Sequence, residues 1–338
     1  MKLCLMCRTR NIEHYGICPQ CSELNEKMRA LTCDLTGLNA VVTGGRIKIG
    51  YAACLRLLRQ GASVIAVTRY PKSALEQYMK EPDYAAFADR LTVIGFDLMR
   101  VDRMGELIAQ ITDSCGGKLD ILINNAAQTV RKSNDYYERL TAHEQELLLE
   151  SKSVIPLGRS DDSRAIMPSM QLTDHGETEL DNSWVRKPEN ISAQELLEVQ
   201  LINVTAPFML TNGLRQCLSS GNSFNRFVIN VSSVEGRFNM KQKLARHVHT
   251  NMAKASLNMM THSIASDFAR DRIFVYSCDP GWVSNQFPPG YEVSKNFEPY
   301  LSFDDGAARV LYPITKNLHE TKIKDSGLFY KDYHIIDY

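Results

Sequence analysis

Short apolar runs recur along the chain from about residue 38 onward, and each has the length of a buried β-strand. Seven such runs lie at 39–45, 63–69, 91–98, 119–126, 225–233, 272–281 and 327–336. The stretches between them, such as 50–60 and 252–269, carry apolar residues at i, i+3 and i+4, which predicts amphipathic helices. Apolar strands that alternate with helices predict an α/β fold with a doubly wound parallel sheet, covered by helices on both faces.

Two segments depart from this alternation. Residues 1–35 contain closely spaced cysteines and a polar helical stretch, so we expect a small unit ahead of a main domain over 36–338. An insertion at about 128–191 is polar and weakly periodic. We expect it, with residues 283–299, to cover the ligand-binding edge of the sheet; a disordered surface loop is the alternative. Its charged residues favour a polar substrate: Arg131, Lys132, Asp161, Asp162 and Arg164.

The composition disfavours two classes of binding partner, nucleic acids and membranes. The 338 residues include 39 basic and 39 acidic side chains, so no bulk charge favours nucleic acid or an anionic membrane. No apolar run approaches the roughly 18 residues of a membrane helix, and the first residues, MKLCLMC, lack the features of a signal peptide. Five of the nine cysteines are scattered through the predicted core, which is typical of a reducing compartment. We therefore expect a cytoplasmic protein.

The other four cysteines form two CxxC pairs separated by ten residues: Cys4, Cys7, Cys18 and Cys21. Four thiolates at these spacings can surround zinc tetrahedrally, so the sequence predicts a structural zinc ribbon with no open coordination position. Redox-active pairs or free thiols are the alternatives. A closed site does no chemistry, so its expected role is docking onto another protein, onto the main domain or onto nucleic acid. The segment has too few basic residues for a nucleic-acid-binding surface, namely Arg8, Arg10 and Lys27.

A glycine-rich turn stands between the first predicted strand and the helix after it. It comprises Thr43, Gly44, Gly45, Arg46, Ile47, Lys48, Ile49 and Gly50. Glycines let the backbone turn tightly and approach a pyrophosphate, and the following helix presents free N–H groups and its positive dipole end. With six further strand and helix units after it, this turn predicts a dinucleotide-binding Rossmann fold.

The turn resembles the TGxxxGxG motif of short-chain dehydrogenases/reductases, with Lys48 in place of the middle glycine. Some members of that family, pteridine reductases among them, carry a basic residue there. The second strand ends in Thr68 and Arg69, where an NAD-binding protein usually has an acidic residue. Arg69 can bind a 2′-phosphate through two parallel N–H donors, and Arg46 can supply a further contact to the same phosphate. The resemblance therefore implies NADP(H). The alternative for Arg69 is a solvated charge at a strand end.

Further motifs of the family follow in register. Asp97 and Leu98 resemble the pair beside the adenine, and the run Asn124-Asn125-Ala126-Ala127 resembles the NNAG motif. The run Pro280-Gly281-Trp282-Val283 resembles the PG motif beside the nicotinamide carboxamide. The resemblance therefore implies that Asn125, Ala126, Pro280, Gly281 and Val283 bind the cofactor.

Three of the family's four catalytic positions have counterparts here. By resemblance Ser233 binds the substrate oxygen, Asn203 anchors a relay water, and Lys254 binds the ribose. The catalytic tyrosine, four residues before the lysine, is replaced by Thr250, whose aliphatic hydroxyl is too weak an acid. His247 and His249 flank this position, and either can serve as general acid. Tyr136 or Tyr137 of the insertion is a further candidate.

Two functions remain open at this point. The first is an NADP(H)-dependent oxidoreductase that transfers hydride to or from a carbonyl or alcohol of a small molecule, with a substituted acid. The second is a noncatalytic NADP(H)-binding protein that regulates a partner. By resemblance a homodimer or homotetramer is expected, paired through the helices within 192–219 and 252–269.

Overall fold

The computed structural model describes residues 2–13, 16–147, 152–157, 181–240, 243–288, 290 and 298–338. A small antiparallel hairpin, β1 (Lys2–Leu3) with β2 (Asn11–Ile12), precedes the main sheet. Among the described residues the main sheet has nine strands: β3 (Asn39–Thr43), β4 (Ser63–Thr68), β5 (Leu91–Gly95), β6 (Ile121–Asn124), β7 (Val154–Pro156), β8 (Arg226–Val231), β9 (Ile273–Asp279), β10 (Phe329–Lys331) and β11 (His334–Ile336). Their order is β11-β10-β9-β8-β6-β3-β4-β5-β7, and every neighbouring pair is parallel except β10 with β11.

Ten α-helices accompany the strands in the described residues. They are α1 (Pro19–Arg29), α2 (Lys48–Arg59), α3 (Pro71–Met79), α4 (Met104–Ser114), α5 (Asn134–Glu146), α6 (Ala193–Gln200), α7 (Ala206–Gly213), α8 (Arg215–Ser219), α9 (Val248–Phe268) and α10 (Phe303–Asn317). None of the helices described is long and apolar enough to cross a membrane.

The two faces of the sheet bury separate cores. One core joins the strands to α2, α3 and α10, and the other joins them to α4, α7 and α9. Successive residues of β3 alternate between them, since Val42 belongs to the first core and Val41 to the second. This two-sided burial explains why the strands are apolar throughout, and it confirms the doubly wound Rossmann fold that the sequence predicts.

Two elements of the insertion pack against the sheet and its helices. Strand β7 extends the sheet beyond β5 in parallel register, with Ile94 opposite Ile155, and α5 packs against α3. Residues 158–180, which include Asp161, Asp162 and Arg164, lie outside the described residues.

The cysteine-rich segment packs on α10 and on the turn between β10 and β11. Its cysteines share a small apolar cluster with Tyr333 and Tyr312. On α1, Asn25 donates from Nδ2 to Asp305 Oδ1 (2.8 Å) and accepts at Oδ1 from Arg309 Nη1 (2.7 Å), all three being buried. The segment therefore contacts the main domain, which is one of the three docking surfaces considered from the sequence.

Candidate functional site

The glycine turn joins the carboxyl end of β3 to the first turn of α2. Gly44 has a left-handed backbone (φ +73°), and a Cβ on Gly50 would overlap the Gly44 carbonyl oxygen. Thr43 Oγ1 accepts hydrogen bonds from the backbone N–H groups of Asn125 and Ala126, both at 3.0 Å. The ends of β3 and β6 are thus tied together beside the free N–H groups of α2, which is the arrangement that holds a pyrophosphate.

Lys48 has the backbone conformation of a glycine. Its φ is +56°, in the left-handed region, although it carries a side chain. Such a conformation costs a non-glycine residue about 1–2 kcal/mol. The turn therefore keeps the shape of the glycine-containing motif while presenting an exposed ammonium group at the start of α2.

Two guanidinium groups meet at the end of β4. Arg46 lies over the Tyr70 ring at 5.4 Å and Arg69 lies 5.7 Å from the same ring centroid. Thr68 and Asp97 are buried beside them; Thr68 Oγ1 accepts from Tyr70 N (3.3 Å) and Asp97 Oδ1 accepts from Met99 N (3.0 Å). Leu98 is buried as well. Tyr70, which sequence reasoning missed, directly follows Arg69 and orients both arginines.

Lys254 lies on α9 with its ammonium group buried. Its Nζ donates to the Val231 carbonyl at 2.7 Å, and burial lowers the pKa of Lys254 to about 8, with Asp279 acting in the opposite direction. A Cβ on Gly236 would lie 2.6 Å from the Lys254 carbonyl carbon, so the turn after β8 rests directly on α9. This close approach brings Ser233 to the same end of the sheet as Lys254.

The turn after β8 that carries Ser233, called the serine turn below, is held in place by a carboxylate that was not predicted from the sequence. Asp279 accepts from the backbone N–H of Val234 (2.7 Å) and from that of Gly281 (2.6 Å). It therefore links the turn of Ser233 to the Pro280-Gly281 turn. Ser233 itself is partly exposed, and its Oγ accepts from Glu235 N at 3.1 Å.

The Pro280-Gly281 turn also meets the glycine turn. Gly281 has a left-handed backbone (φ +81°). A Cβ on Gly306 of α10 would lie 2.9 Å from Val283 Cγ1 and 3.2 Å from Ile49 Cγ1. Val283 and Ile49, both expected to touch the cofactor, are thereby packed against one helix.

Asn203 lies in a π-helical turn, Leu201–Thr205, between α6 and α7. Its side chain accepts from Gln128 N (2.8 Å) and donates to Gln128 O (2.9 Å). Such turns occur frequently at functional sites. The paired hydrogen bonds fix the start of the insertion, just after the Asn125-Ala126 motif.

Thr250 precedes Lys254 by one helical turn and therefore shares its face of α9. It is 3% exposed, and among the described residues its Oγ1 has no hydrogen-bond partner. No phenol replaces the missing tyrosine at this position.

The two candidate histidines differ in what they contact. His249 is buried with Nε2 3.6 Å from Glu195 Oε1 on α6, and the same carboxylate contacts Ser183 and Arg186. A separation of five residues rotates His249 about 140° away from Lys254 around the helix. His249 therefore belongs to a buried polar network between α6, α9 and the end of the insertion.

His247 lies beside the serine turn. Its Nε2 is 3.5 Å from Glu235 Oε2, and its Nδ1 is 2.9 Å from the Trp184 carbonyl oxygen. Its ring stacks on Trp184 at 4.1 Å. The hydrogen bond from His247 lowers the pKa of Glu235, which follows Ser233 by two residues. Of the two histidines, His247 is the one that the fold brings near Ser233.

The tyrosines of the insertion lie at the opposite end of the site. Tyr137 covers Arg69 at 5.0 Å, and Tyr136 contacts Tyr137 edge-on. Arg69 follows β4 and Ser233 follows β8, which are three strand spacings apart, on the order of 14 Å. This placement does not favour Tyr136 or Tyr137 as a proton donor beside Ser233.

The end of the insertion and the segment after Gly281 contact each other. Asn182 donates from Nδ2 to Gln286 O (2.9 Å), and Trp184 packs edge-on against Phe287. Since Trp184 also stacks on His247, the two segments form one wall beside the serine turn.

The four amino-terminal cysteines could hold a metal ion. Their Sγ atoms all lie within 4.8 Å of one another, while sulfurs 2.3 Å from a tetrahedral zinc are about 3.8 Å apart. Cys4 Sγ accepts from Cys18 N (3.2 Å) and Cys18 Sγ accepts from Arg10 Nη1 (3.5 Å). Such hydrogen bonds stabilise thiolates, so the donor set fits zinc.

Comparison with known proteins gives two family matches on this chain. The family model described as short chain dehydrogenase matches residues 38–171, and the one described as Enoyl-(Acyl carrier protein) reductase matches residues 182–302. An uncharacterised protein of Acanthamoeba polyphaga mimivirus is 33% identical over 88% of this chain and 67% of its own length. A tropinone reductase homolog of Datura stramonium is 35% identical over 29% of this chain and 35% of its own length.

Solved structures share the fold at low identity. The NADPH-bound carbonyl reductase from chicken fatty liver has a TM-score of 0.61 at 18% identity, over 91% of this chain and 100% of that protein. A short chain dehydrogenase from Burkholderia cenocepacia in complex with NADP has a TM-score of 0.57 at 17% identity, over 83% of this chain and 91% of that protein.

Proposed function

Since this chain belongs to the short-chain dehydrogenase/reductase family of oxidoreductases, we propose that it binds NADP(H) and interconverts a carbonyl and an alcohol of a small molecule. The observation that carries the NADP(H) assignment is the pair of guanidinium groups, Arg46 and Arg69, that converge on Tyr70 beyond the phosphate turn. Arginine pairs planar phosphate oxygens through its fork of N–H donors. The NADP-bound proteins of similar fold are consistent with this proposal.

Each part of the cofactor has residues suited to it in this proposal. Gly44, Ile49 and Gly50 bind the pyrophosphate, and Arg46, Lys48 and Arg69 bind the 2′-phosphate, with Thr43 and Thr68 supporting the two strand ends. The remaining contacts are Asp97 and Leu98 with the adenine, Lys254 with the ribose, and Asn125, Ala126, Pro280, Gly281 and Val283 with the nicotinamide half. The bound nicotinamide supplies or accepts the hydride.

We propose that His247 replaces the missing tyrosine. Ser233 binds the substrate oxygen, and Asn203 holds the backbone of Gln128. His247 gives the substrate oxygen its proton from Nε2, which leaves its 3.5 Å contact with Glu235 and recovers a proton from solvent, while Nδ1 stays on the Trp184 carbonyl oxygen. His249 is the less suitable donor because its contact is the buried Glu195.

Consumption of NADPH against a panel of aldehydes and ketones tests this proposal. We expect turnover by the wild type and a loss of about 10²- to 10⁴-fold in His247→Ala, the range for a general acid. His249→Ala is the matched control, provided that its circular dichroism is unchanged, and it should retain most of the activity. Equal losses in the two variants would exclude His247 as the specific donor.

A second function is favoured by one observation. Thr250 occupies the tyrosine position, and both neighbouring histidines have other contacts, as expected of a protein that binds NADP(H) without turnover. The substitution Thr250→Tyr separates the two functions. Tight NADPH binding, no turnover by the wild type and new turnover by Thr250→Tyr would identify the noncatalytic, regulatory function.

We further propose that residues 1–35 form a zinc ribbon with Cys4, Cys7, Cys18 and Cys21 as ligands, and that the chain forms a homodimer or homotetramer. Large apolar side chains stand exposed on α6, α7 and α9, namely Leu197, Phe208, Met252 and Met259. Light scattering on wild type and Met259→Asp tests the assembly, since a charge there should dissociate a dimer paired through α9.

A further inference from the structure

The insertion places a helix against the end of β4, where the 2′-phosphate is expected. The Glu144 carboxylate of α5 accepts from the backbone N–H groups of Lys72 (2.6 Å) and Ser73 (2.8 Å), the first residues of α3. Lys72 Nζ in turn donates to Leu147 O (2.7 Å), just after α5. Because α3 starts immediately after Arg69 and Tyr70, these bonds fix α5 beside the two arginines.

An aromatic ring of α5 completes the surroundings of Arg69. Its guanidinium carbon lies 5.0 Å from the Tyr137 ring centroid and 5.7 Å from that of Tyr70. The Tyr137 hydroxyl also hydrogen-bonds the Arg69 side chain, so this residue holds the guanidinium group while the other N–H donors can meet phosphate oxygens. An arginine already held between rings loses less side-chain freedom when it binds an anion.

We propose that Tyr137 is a positioning residue that holds Arg69 ready for the 2′-phosphate, so that the insertion sets the preference for NADP over NAD. This inference rests on the proposed function, because it assumes that the nucleotide binds at this edge. It assigns part of the insertion to the adenosine end of the site, away from the substrate end where Trp184 lies.

The test uses two fragments that differ only in the phosphate, 2′,5′-ADP and 5′-AMP, titrated calorimetrically into the full-length, zinc-loaded protein. We expect Tyr137→Ala to weaken 2′,5′-ADP binding about tenfold and to leave 5′-AMP binding unchanged, because only the former meets Arg69. Tyr137→Phe keeps the ring but removes its hydrogen bond to Arg69, so its affinity for 2′,5′-ADP should lie between those of the wild type and Tyr137→Ala. Glu138→Ala, at the exposed neighbouring position of α5, is the control for the integrity of the helix.

The outcomes separate this inference from the function on which it rests. If the wild type binds neither fragment, the NADP(H) proposal itself fails. If the wild type prefers 2′,5′-ADP and Tyr137→Ala keeps that preference, only the inference fails. Tighter binding by Tyr137→Ala would also overturn it, since the ring would then obstruct the site. Tyr137→Leu repeats the comparison should the alanine variant lose the helical signal of α5.

Discussion

Lys48 combines an unfavourable backbone with a useful charge. Its left-handed φ is the conformation that glycine adopts at no steric cost, whereas the ammonium group stands where a phosphate is expected. The backbone of Lys48 therefore lowers the stability of the fold, whereas its charge favours phosphate binding.

We predict that Lys48→Gly raises the free energy of unfolding by about 1 kcal/mol and weakens NADPH binding, because strain and charge disappear together. Lys48→Ala is the matched control, since it removes the charge and keeps the strain. Denaturant unfolding and NADPH titration measure the two effects. A Lys48→Gly protein no more stable than Lys48→Ala would contradict the strain argument.

Burial of Lys254 predicts a pH dependence of stability. With its pKa lowered to about 8, the folded protein releases a proton that the unfolded chain keeps up to about pH 10.5. In that window the unfolded state binds more protons, so stability should rise with pH. Without cofactor, the unfolding free energy of wild type should rise relative to Lys254→Met between pH 8 and 10.5, by at most about 3 kcal/mol. Parallel curves for the two proteins would show that Lys254 keeps its ordinary pKa.

The position of Thr250 could be predicted from the sequence, whereas the contacts of the two histidines could not. Thr250 is found by counting back from Lys254 on one helix, a relation fixed by helical geometry. The partners of the two histidines come from segments 12 and 54 positions away, Glu235 for His247 and Glu195 for His249, and nothing in the local pattern relates them. Only the folded chain distinguishes His247 from His249.

At the level of elements, the glycine turn leaves no room for a side chain at Gly50. A Cβ there would overlap the Gly44 carbonyl oxygen and approach Asn125 Nδ2. The first turn of α2 can thus stay close to β3 only with glycine at this position.

We predict that Gly50→Ala abolishes measurable NADPH binding, because α2 must shift away from Gly44 to accept the methyl group. Gly105→Ala is the control, since a Cβ on that helical glycine meets nothing within 4 Å. Fluorescence titration with NADPH compares the two variants. Wild-type affinity in Gly50→Ala would show that the turn does not bind the pyrophosphate.

Regular elements with strong apolar periodicity were predictable, whereas those of the insertion were not. Six of the seven apolar runs each contain one parallel strand, because buried faces demand apolar side chains. The run 327–336 instead divides into β10 and β11, an antiparallel pair whose second strand is mostly exposed. The helix α5 has no buried residue, and β7 has three residues, so neither produces a recognisable period. Their positions follow instead from tertiary contacts, such as Glu144 with the start of α3 and Ile155 with Ile94.

At the level of the whole molecule, the cysteine-rich segment is attached to the main domain through a buried polar cluster. Asn25 bonds both Asp305 and Arg309, and Arg309 pairs with Asp332 (3.1 Å). Removing one member of such a cluster leaves the others buried and unpaired, which costs about 1–3 kcal/mol for each group.

We predict that Cys18→Ser releases the zinc and leaves the Rossmann domain folded. Metal analysis should fall from about one zinc per chain to none, while circular dichroism keeps the signal of the main domain and the unfolding midpoint drops. Cys33→Ser, outside the cluster, should retain its zinc. Stoichiometric zinc in the Cys18→Ser protein would rule out these ligands.

The contact between Asn25 and Asp305 spans 280 positions of the chain. During synthesis the cysteine-rich segment emerges before the helix that receives it, and strands β3 to β9 are made between the two. The surface on which the segment docks therefore does not exist until α10 has been made, so docking depends on contacts that form late in folding. A nascent chain arrested before α10 would therefore expose the face of α1 that carries Asn25.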